Sequence, residues 1–422
     1  VEPVTIRLNR ETVSLHRTET ARLTAEVLPE GAQATVSWSS SQPAVATVSK
    51  DGLVTAVQQG TTVITAAVGK LTASCTVRVI VDENESDYAL NQNGEVTGYL
   101  GTDWKVLNIP AKIGDQTVTG IADGAFKNQR DIQQVILPET VTVIGSNAFY
   151  GCTNLKEINL NHVTSMGSGV FRQCAALQSV ALGEGLRDVP EQAFMSCANL
   201  KAVTLPSSVK ELGKECFAQC TSLEALILPE GLTTIHAGAL KKCPLQTLHL
   251  PASLRQLGDE YMGDVFEDPG ALAADTAMKT ITVAEGNPLY TAKDGLLYNK
   301  EETAVLFCPR GRTEAVIPEG VTEIGRYAFF MCFNLIRADL PSTLKTVREQ
   351  AFHYCEALTD CELPTGLERV ENSAFFGCEE WTGVDRIPVS VQYIGPYAFN
   401  ECKGTKIVVP EGIADLPEFG FV

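Results

Sequence analysis

Residues 193–220 read AFMSCANLKAVTLPSSVKELGKECFAQC and contain two copies of a Phe-x-x-Cys motif. The motif occurs in two runs of four copies, and successive copies within each run lie 22 to 24 residues apart. The copies are Phe149/Cys152, Phe171/Cys174, Phe194/Cys197, Phe217/Cys220, Phe329/Cys332, Phe352/Cys355, Phe375/Cys378 and Phe399/Cys402. Such a period indicates one supersecondary unit repeated along the chain, each unit burying its apolar face only against its neighbours. The spacing therefore predicts a solenoid.

Each unit reads Leu-x-x-Ile-x-Leu-Pro, then Val-x-x-Ile-Gly, then Ala-Phe-x-x-Cys. This alternation predicts one strand per coil with two inward residues, ended by a proline that cannot donate a ladder hydrogen bond. Gly145, Gly213, Gly325 and Gly395 are expected at tight corners with positive φ, and the phenylalanines are expected to stack as an aromatic spine. The predicted inward pairs are Val135/Leu137, Ile158/Leu160, Val180/Leu182, Val203/Leu205, Leu226/Leu228, Leu248/Leu250, Ile281/Val283, Ala338/Leu340, Cys361/Leu363 and Ile407/Val409.

Residues 258–311 interrupt the period and carry the segments NPLY and DGLLYNK. The dipeptide Asp294-Gly295 predicts a hairpin turn between two strands. The acidic, small-residue segment 264–275 is expected to form a protruding loop. Insertions of this kind in solenoids often map to the binding face, although many are only tolerated.

Residues 1–81 contain short apolar-alternating segments separated by turn signals, a pattern typical of an all-β sandwich. Trp38 is expected in or near the core, and Cys75 is expected as a buried strand thiol because this region contains no second cysteine. The segments are VSWSS (36–40), PAVATVS (43–49), DGLVTAV (51–57), GTTVITAAV (60–68) and CTVRV (75–79).

Residues 82–125 form a predicted linker and N-terminal cap. Asp82, Asn84 and Ser86 have the alternating oxygen spacing of a calcium loop. Asp87 replaces the glycine that makes its sharp turn and Asn93 replaces the bidentate glutamate, which favours a solvated linker. After it, Trp104, Leu107, Ile109 and Pro110 form a first, irregular repeat, as expected of a terminal unit that closes the core.

The segments of residues 1–81 follow the order of the bacterial Ig-like domain of the second group, which they resemble. The Leu-Pro, Ile-Gly and Ala-Phe-x-x-Cys signatures over about residues 95–422 resemble BspA-like leucine-rich repeats, and residues 258–311 look like that family's long variant repeat. The resemblance implies a mainly β chain, with an N-terminal Ig-like β-sandwich followed by a leucine-rich-repeat solenoid of short parallel strands at 126–422. It also implies an exported surface protein involved in adhesion.

The chain of 422 residues has a net charge of −18. Residues 1–80 contain six acidic and seven basic side chains, so the solenoid carries the excess of negative charge. That excess argues against nucleic acid and anionic membranes as partners. No apolar run approaches the roughly 20 residues of a transmembrane helix, and no signal peptide is visible, so a leader is expected to have been removed if the protein is exported.

The sequence contains none of the common hydrolase, metalloprotease, phosphate-loop or dinucleotide motifs, and no enzymatic activity, cofactor or metal is expected. His236 and His249 with Cys220 and Cys243 have the ligand types of a zinc site, but their spacing matches no known zinc module. Eight of the 13 cysteines share one repeat position, which favours inert core thiols over reactive ones. Disulfides Cys216/Cys220 and Cys355/Cys361 are disfavoured because each pair includes a core position.

The outward strand positions are the candidate binding face. Most are small and neutral, as suits a broad macromolecular partner, while the charged C-terminal positions are expected to steer a basic one. Small residues also suit a crowded parallel sheet without any ligand. The predicted positions are Gln134, Ile136, Glu157, Asn159, Ser179, Ala181, Ala202, Thr204, Ala225, Ile227, Thr247, His249, Thr280, Thr282, Arg337, Asp339, Asp360 and Glu362.

Three functions remain open at this point. The first is a non-enzymatic surface protein that binds a protein or another extracellular macromolecule through the solenoid. The second is a structural envelope component without a discrete ligand. The third is a glycan-binding module, which exposed aromatics near Tyr261, Tyr290 and Tyr298 would favour.

Overall fold

The computed structural model describes residues 3–17, 19–29, 34–80, 87–101, 103–258, 277–404, 409–411 and 413. The chain divides into two compact units, one of residues Val1–Asp87 with Lys112–Thr117 and one of Tyr88–Ala111 with Val118–Val422. Apart from one 3-10 turn at Gly383–Arg386, the regular elements of the described residues are strands. The predicted linker residues Asp82, Asn84 and Ser86, the loop 264–275 and Ile407 lie outside the described residues.

The first unit has the predicted Ig-like sandwich. A four-stranded, a three-stranded and a two-stranded sheet surround a core that includes Leu23, Val54, Ile64 and the buried thiol of Cys75. Trp38 is partly buried and packs against that core, as predicted. Its strands are Thr5–Leu8, Thr12–His16, Thr20–Arg22, Ala25–Leu28, Ser37–Ser40, Ala46–Val48, Leu53–Ala56, Gly60–Val68 and Leu71–Ile80, with the short pair Lys112–Ile113 and Gln116–Thr117.

The second unit is the predicted solenoid of stacked coils. Its first set of parallel strands, the leucine strands, turns the predicted inward residues towards the core. Val135 and Leu137 are 1% and 5% exposed, whereas others such as Val203 and Leu205 are only half-buried. The irregular first repeat, which contains Trp104, supplies the first of these strands. This strand, Val106–Asn108, pairs in parallel with the leucine strand of the next coil. The leucine strands are Val106–Asn108, Gln134–Ile136, Glu157–Ile158, Ser179–Ala181, Ala202–Thr204, Thr247–Leu250, Thr280–Val283, Glu314–Val316 and Arg337–Asp339.

The prediction of one strand per coil was wrong. The Val-x-x-Ile-Gly segments form second strands, because their backbones come close enough to pair with the same segment of a neighbouring coil. Ser165–Met166 and Asp188–Val189 belong to different sheets, so the ladder is divided there. These second strands are Gly120–Ile121, Val143–Ile144, Ser165–Met166, Asp188–Val189, Glu211–Leu212, Thr234–Ile235, Gln256–Leu257, Glu323–Ile324, Thr346–Val347, Arg369–Val370 and Tyr393–Ile394, with Tyr88–Leu90 and Glu95–Tyr99 before them.

Two predicted leucine strands do not form. Residues 225–228 have buried Leu226 and Leu228 but no strand pairing. At Cys361/Leu363 only an isolated bridge between Arg337 and Asp360 remains. The inward alternation of these residues is therefore retained while the ladder is broken, so apolar burial and strand pairing are separable in this solenoid.

The explanation predicted for Gly145, Gly213, Gly325 and Gly395 was also wrong. None of these glycines has a positive φ. A Cβ on Gly145 would instead lie 2.5 Å from the backbone nitrogen of Asp123 in the preceding coil. Glycine is required there by the close approach of two coils. Positive φ occurs nearby at non-glycine residues such as Asn147.

The aromatic spine forms as predicted. Phe126, Phe149, Phe171, Phe194 and Phe217 stack with ring centroids 5.3–5.5 Å apart and nearly parallel planes. A second stack of Phe329, Phe352 and Phe375 has centroids 4.6 and 5.0 Å apart. Stacking of this kind adds to the stabilisation from apolar burial. It also fixes the rotation of each coil relative to the next.

The long repeat contains the predicted hairpin. Tyr290–Lys293 and Leu296–Asn299 pair antiparallel across Asp294-Gly295, both of which have positive φ, and Ala304–Phe307 continues the sheet into the next second strand. The buried amide of Asn287 donates to the carbonyl oxygens of Pro251 and Leu254 and accepts the backbone N–H groups of the following turn. The asparagine of the NPLY segment thus joins two coils.

Candidate binding face

The outward residues of the leucine strands form the surface that we call the strand face. Its predicted members are exposed or half-exposed, and they lie in register from coil to coil: Gln134 beside Glu157, Ala181 beside Thr204, and Thr247 beside Thr280. The alternation of a parallel strand requires this, because the neighbours of a buried residue point to the opposite side. Ala225 and Ile227 belong to the same row although their segment is not a strand.

The middle of the strand face is small, neutral and flat. Ile227 is the most exposed of its large apolar members, with 85% of its surface accessible. The imidazole Nδ1 of His249 lies 2.9 Å from the hydroxyl of Thr282. The other predicted residues in this part are exposed or half-exposed alanine, serine and threonine side chains: Ser179, Ala181, Ala202, Thr204, Ala225, Thr247 and Thr280.

A shallow groove of about 360 Å³ lies at the N-terminal end of the strand face, over three successive leucine strands. The Gln134 amide donates to the Glu157 carboxylate at 3.0 Å. The Asn159 amide is used internally, because it donates to the carbonyl oxygen of Leu137 and accepts the N–H of the same residue. Ile136, 41% exposed, is the most exposed large apolar side chain that lines this groove.

The charged end of the strand face is partly neutralised within the chain. The Arg337 guanidinium donates two bonds of 2.7 Å to Asp339 and lies 3.6 Å from Asp360. The Arg386 guanidinium lies 3.6 Å from Glu362. A cavity of about 320 Å³ opens beside Asp360 and Glu362, where the coil forms its 3-10 turn. These arginines reduce the attraction that the sequence predicted for a basic partner.

Sequence reasoning missed three apolar residues on or beside the strand face. Val106, Val316 and Ile336 are 38%, 52% and 50% exposed. The signal for Val316 was present, because EAVIP at 314–318 has the same pattern as QVILP at 134–138. Val106 lies in the irregular first repeat and Ile336 immediately before a leucine strand, where the alternation alone assigns no side.

The turn that carries Phe-x-x-Cys presents a second side-chain column that sequence reasoning also missed. Phe330, His353 and Phe376, each one residue after a spine phenylalanine, stack with centroids 5.3 and 4.8 Å apart. Tyr327 and Tyr354 stand edge-on to Phe330 and Phe376. All five rings are half-buried. The signal was the recurrence of aromatic residues at one repeat position in three consecutive copies.

The cysteine thiols are placed as unreactive core side chains. None of the 13 cysteines, all of which lie within the described residues, forms a disulfide. The thiol of each Phe-x-x-Cys motif contacts a carbonyl oxygen one coil earlier, as in Cys197 Sγ to Phe171 O at 3.2 Å. Burial raises the pKa of the Cys152 thiol to about 12 and opposes formation of a nucleophilic thiolate. Within the described residues no group of three or more His, Cys, Asp or Glu side chains could hold a metal ion, so His236, His249, Cys220 and Cys243 do not form a zinc site there.

Two of the three tyrosines suggested for glycan binding are buried. Tyr290 and Tyr298 are 6% and 0% exposed, and Tyr261 lies outside the described residues. Burial raises the pKa of Tyr298 to about 12. No exposed aromatic cluster is therefore formed by the described part of the long repeat.

Comparisons with known proteins agree with this architecture. The family described as "BspA type Leucine rich repeat region" matches in six copies over residues 119–165, 160–265 and 305–422, and "Bacterial Ig-like domain (group 2)" matches residues 1–79. Lacto-N-biosidase of Bifidobacterium bifidum is 49% identical over 72 residues, which are 17% of this chain and 6% of that protein. The chain thus spans a small fraction of the length of this curated relative.

Two solved structures share the fold. A leucine rich cell surface protein from Faecalibacterium prausnitzii A2-165 is 29% identical with a TM-score of 0.59, covering 79% of this chain and 90% of that one. The pneumococcal vaccine antigen PcpA is 22% identical with a TM-score of 0.52, covering 80% of this chain and 84% of that one. Within the described ranges, no helix has the length and apolar character needed to cross a bilayer. The repeat family covers more than half of the sequence, and the chain belongs to the BspA type leucine-rich repeat family.

Proposed function

We propose that this chain is a non-enzymatic protein of the bacterial cell surface that binds a protein or another extracellular macromolecule through its strand face. The observation that carries the proposal is the row of exposed, mainly small side chains held in register on the leucine strands. Ile227, 85% exposed, continues this row on a segment that forms no strand. A flat face of this kind buries a broad area against a partner at little cost in side-chain entropy.

The Ig-like unit acts in this proposal as a module of the same exported protein. The match to a family of bacterial surface proteins and to a leucine rich cell surface protein supports this placement. The buried thiols and the scattered histidines support a binding role over a catalytic one.

The test compares two triple substitutions in binding to an array of extracellular-matrix proteins, mucins and glycans. Thr204→Arg, Ile227→Arg and Thr282→Arg together place three bulky cations on the strand face and should abolish binding. Val143→Arg, Ser165→Arg and Gln256→Arg add the same charge to exposed positions of the second strands, so this variant should bind as the unsubstituted protein does.

Equal binding by both variants would exclude the strand face. An unsubstituted protein that binds nothing on the array would instead favour the structural envelope role. Circular dichroism of both variants shows that the fold is intact. Selective binding of neutral glycans would favour the third function, for which the small side chains of the strand face supply little stacking surface.

A further inference from the structure

The aromatic column on the Phe-x-x-Cys turns is not used by the proposed function, and its surroundings are acidic. We call this surface the turn face: Tyr327, Phe330, His353, Tyr354 and Phe376, with the nearby carboxylates Glu356, Glu379 and Glu401. The two glutamates Glu356 and Glu379 follow Cys355 and Cys378, so they occupy the same repeat position on successive coils.

These carboxylates are not neutralised by the protein. Within the described residues Glu356, Glu379 and Glu401 form no ion pair, whereas Glu349 pairs with Arg326 at 3.1 Å. Burial, and then the like charge of Glu379, raises the pKa of Glu356. Two adjacent carboxylates that repel each other are stabilised when a cation is placed between them.

The rings themselves are suited to cations. The solenoid already places its own cations over three surface tyrosines: Arg172 over Tyr150, Arg326 over Tyr327, and Arg369 over Tyr393, with 5.7, 4.7 and 3.9 Å to the ring centroids. An electron-rich ring face attracts a guanidinium group in this geometry.

Tyr354 is the tyrosine of the turn face that has no such cation within the described residues, whereas Arg326 lies over Tyr327 and Arg310 over Phe330. Its ring plane is close to perpendicular to those of His353 and Phe376, with centroids 4.6 and 5.5 Å apart. One side lies against the backbone of Gly377, where an added Cβ would come within 2.4 Å of the ring. Tyr354 is half-exposed, so part of the residue remains accessible to a partner.

We propose that the turn face is a second docking surface, which takes a basic segment of a protein partner by stacking an arginine or lysine on Tyr354 between the carboxylates of Glu356, Glu379 and Glu401. Charge complementarity selects this occupant over an apolar peptide, because the carboxylates on these turns form no ion pair within the described residues. Binding at the turn face does not depend on whether the strand face binds a partner.

The test uses a fluorescent ten-residue peptide of alternating Arg and Gly, with a peptide of alternating Glu and Gly as its counterpart. Fluorescence anisotropy should show saturable binding of the basic peptide only, weakening as added salt shortens the Debye length to about 8 Å. Tyr354→Leu should weaken binding roughly two- to fivefold, the expected worth of one exposed cation–π contact. Glu356→Gln with Glu379→Gln should weaken binding and flatten its salt dependence.

The matched control is Glu224→Gln with Glu230→Gln, which removes the same charge from exposed positions elsewhere on the solenoid. This control should bind the peptide unchanged. An equal loss in both double variants, or full binding by Tyr354→Leu, would overturn the proposal in favour of non-specific attraction to an acidic protein. Binding of a neutral oligosaccharide that depends on Tyr354 would overturn it in favour of a glycan.

Discussion

The thiol of Cys152 donates a hydrogen bond to the carbonyl oxygen of Phe126, 26 residues earlier, at 3.1 Å. The same contact recurs along the solenoid, for example from Cys355 to Phe329 at 3.2 Å and from Cys378 to Phe352 at 3.1 Å. A cysteine is small enough for the core and still supplies a weak donor to a carbonyl that the coil leaves accessible. The relationship explains why this repeat position is occupied by cysteine.

The cysteines should be unreactive in the folded protein. Burial raises the pKa of the Cys174, Cys197 and Cys355 thiols well above the usual value. At pH 8 the native protein should therefore react with an aromatic disulfide reagent far more slowly than the guanidinium-unfolded chain, which exposes all 13 thiols. Rapid labelling of several thiols in the native state would contradict this arrangement.

Tyr298→Phe should stabilise the protein by about 1 kcal/mol. The hydroxyl of Tyr298 is fully buried and has no hydrogen-bond partner within the described structure. An unsatisfied buried hydroxyl costs about 1–3 kcal/mol of desolvation free energy, which the phenylalanine avoids. The control is Tyr290→Phe, which removes a hydroxyl that donates to the Arg255 carbonyl at 3.2 Å.

The measurement for this pair is the midpoint of thermal unfolding. The midpoint should rise for Tyr298→Phe and fall for Tyr290→Phe, because the second substitution removes a bond worth about 1 kcal/mol. A fall for both variants would show that the hydroxyl of Tyr298 contributes favourably to stability.

Gly145→Ala should destabilise the solenoid by about 1–3 kcal/mol, the usual cost of overpacking. The added methyl group would lie 2.5 Å from the backbone nitrogen of Asp123, so adjacent coils must separate. Gly98→Ala is the matched control, since no atom lies within 4 Å of its added Cβ. Equal denaturant midpoints for both variants would mean that the coils can move apart at little cost.

Acidification should weaken the C-terminal coils through His353. Burial between Phe330 and Phe376 lowers the pKa of His353 below its unfolded value of 6.5. The unfolded chain therefore binds the proton more tightly, and stability present above pH 6.5 is lost as the pH falls through the folded pKa.

His353→Phe continues the ring stack without a titrating group. The thermal midpoint of this variant should vary less between pH 7 and pH 5 than that of the unsubstituted protein. His162→Gln, which removes a partly exposed histidine 3.8 Å from Glu139, should leave the slope as it is. If the thermal midpoint of His353→Phe varies with pH as much as that of the unsubstituted protein, other groups control the pH dependence.

Much of the fold could be predicted from sequence because its signals are local. The 22- to 24-residue period, the buried alternation of Val135 and Leu137, the spine of Phe149 and the Asp294-Gly295 turn each follow from residues close together in the chain. The outward strand positions followed from the same alternation, since a strand has only two sides. Their binding of a partner stays a prediction.

Tertiary structure decided what happens between coils. The second strands, the close approach at Gly145, the pairing of Arg337 with Asp360 and the stack of His353 between Phe330 and Phe376 all join residues about one period apart. Sequence alternation determines which side chains are buried. The rise and phase of stacked coils determine which backbones pair, which carboxylates are neutralised and which rings remain open to a partner.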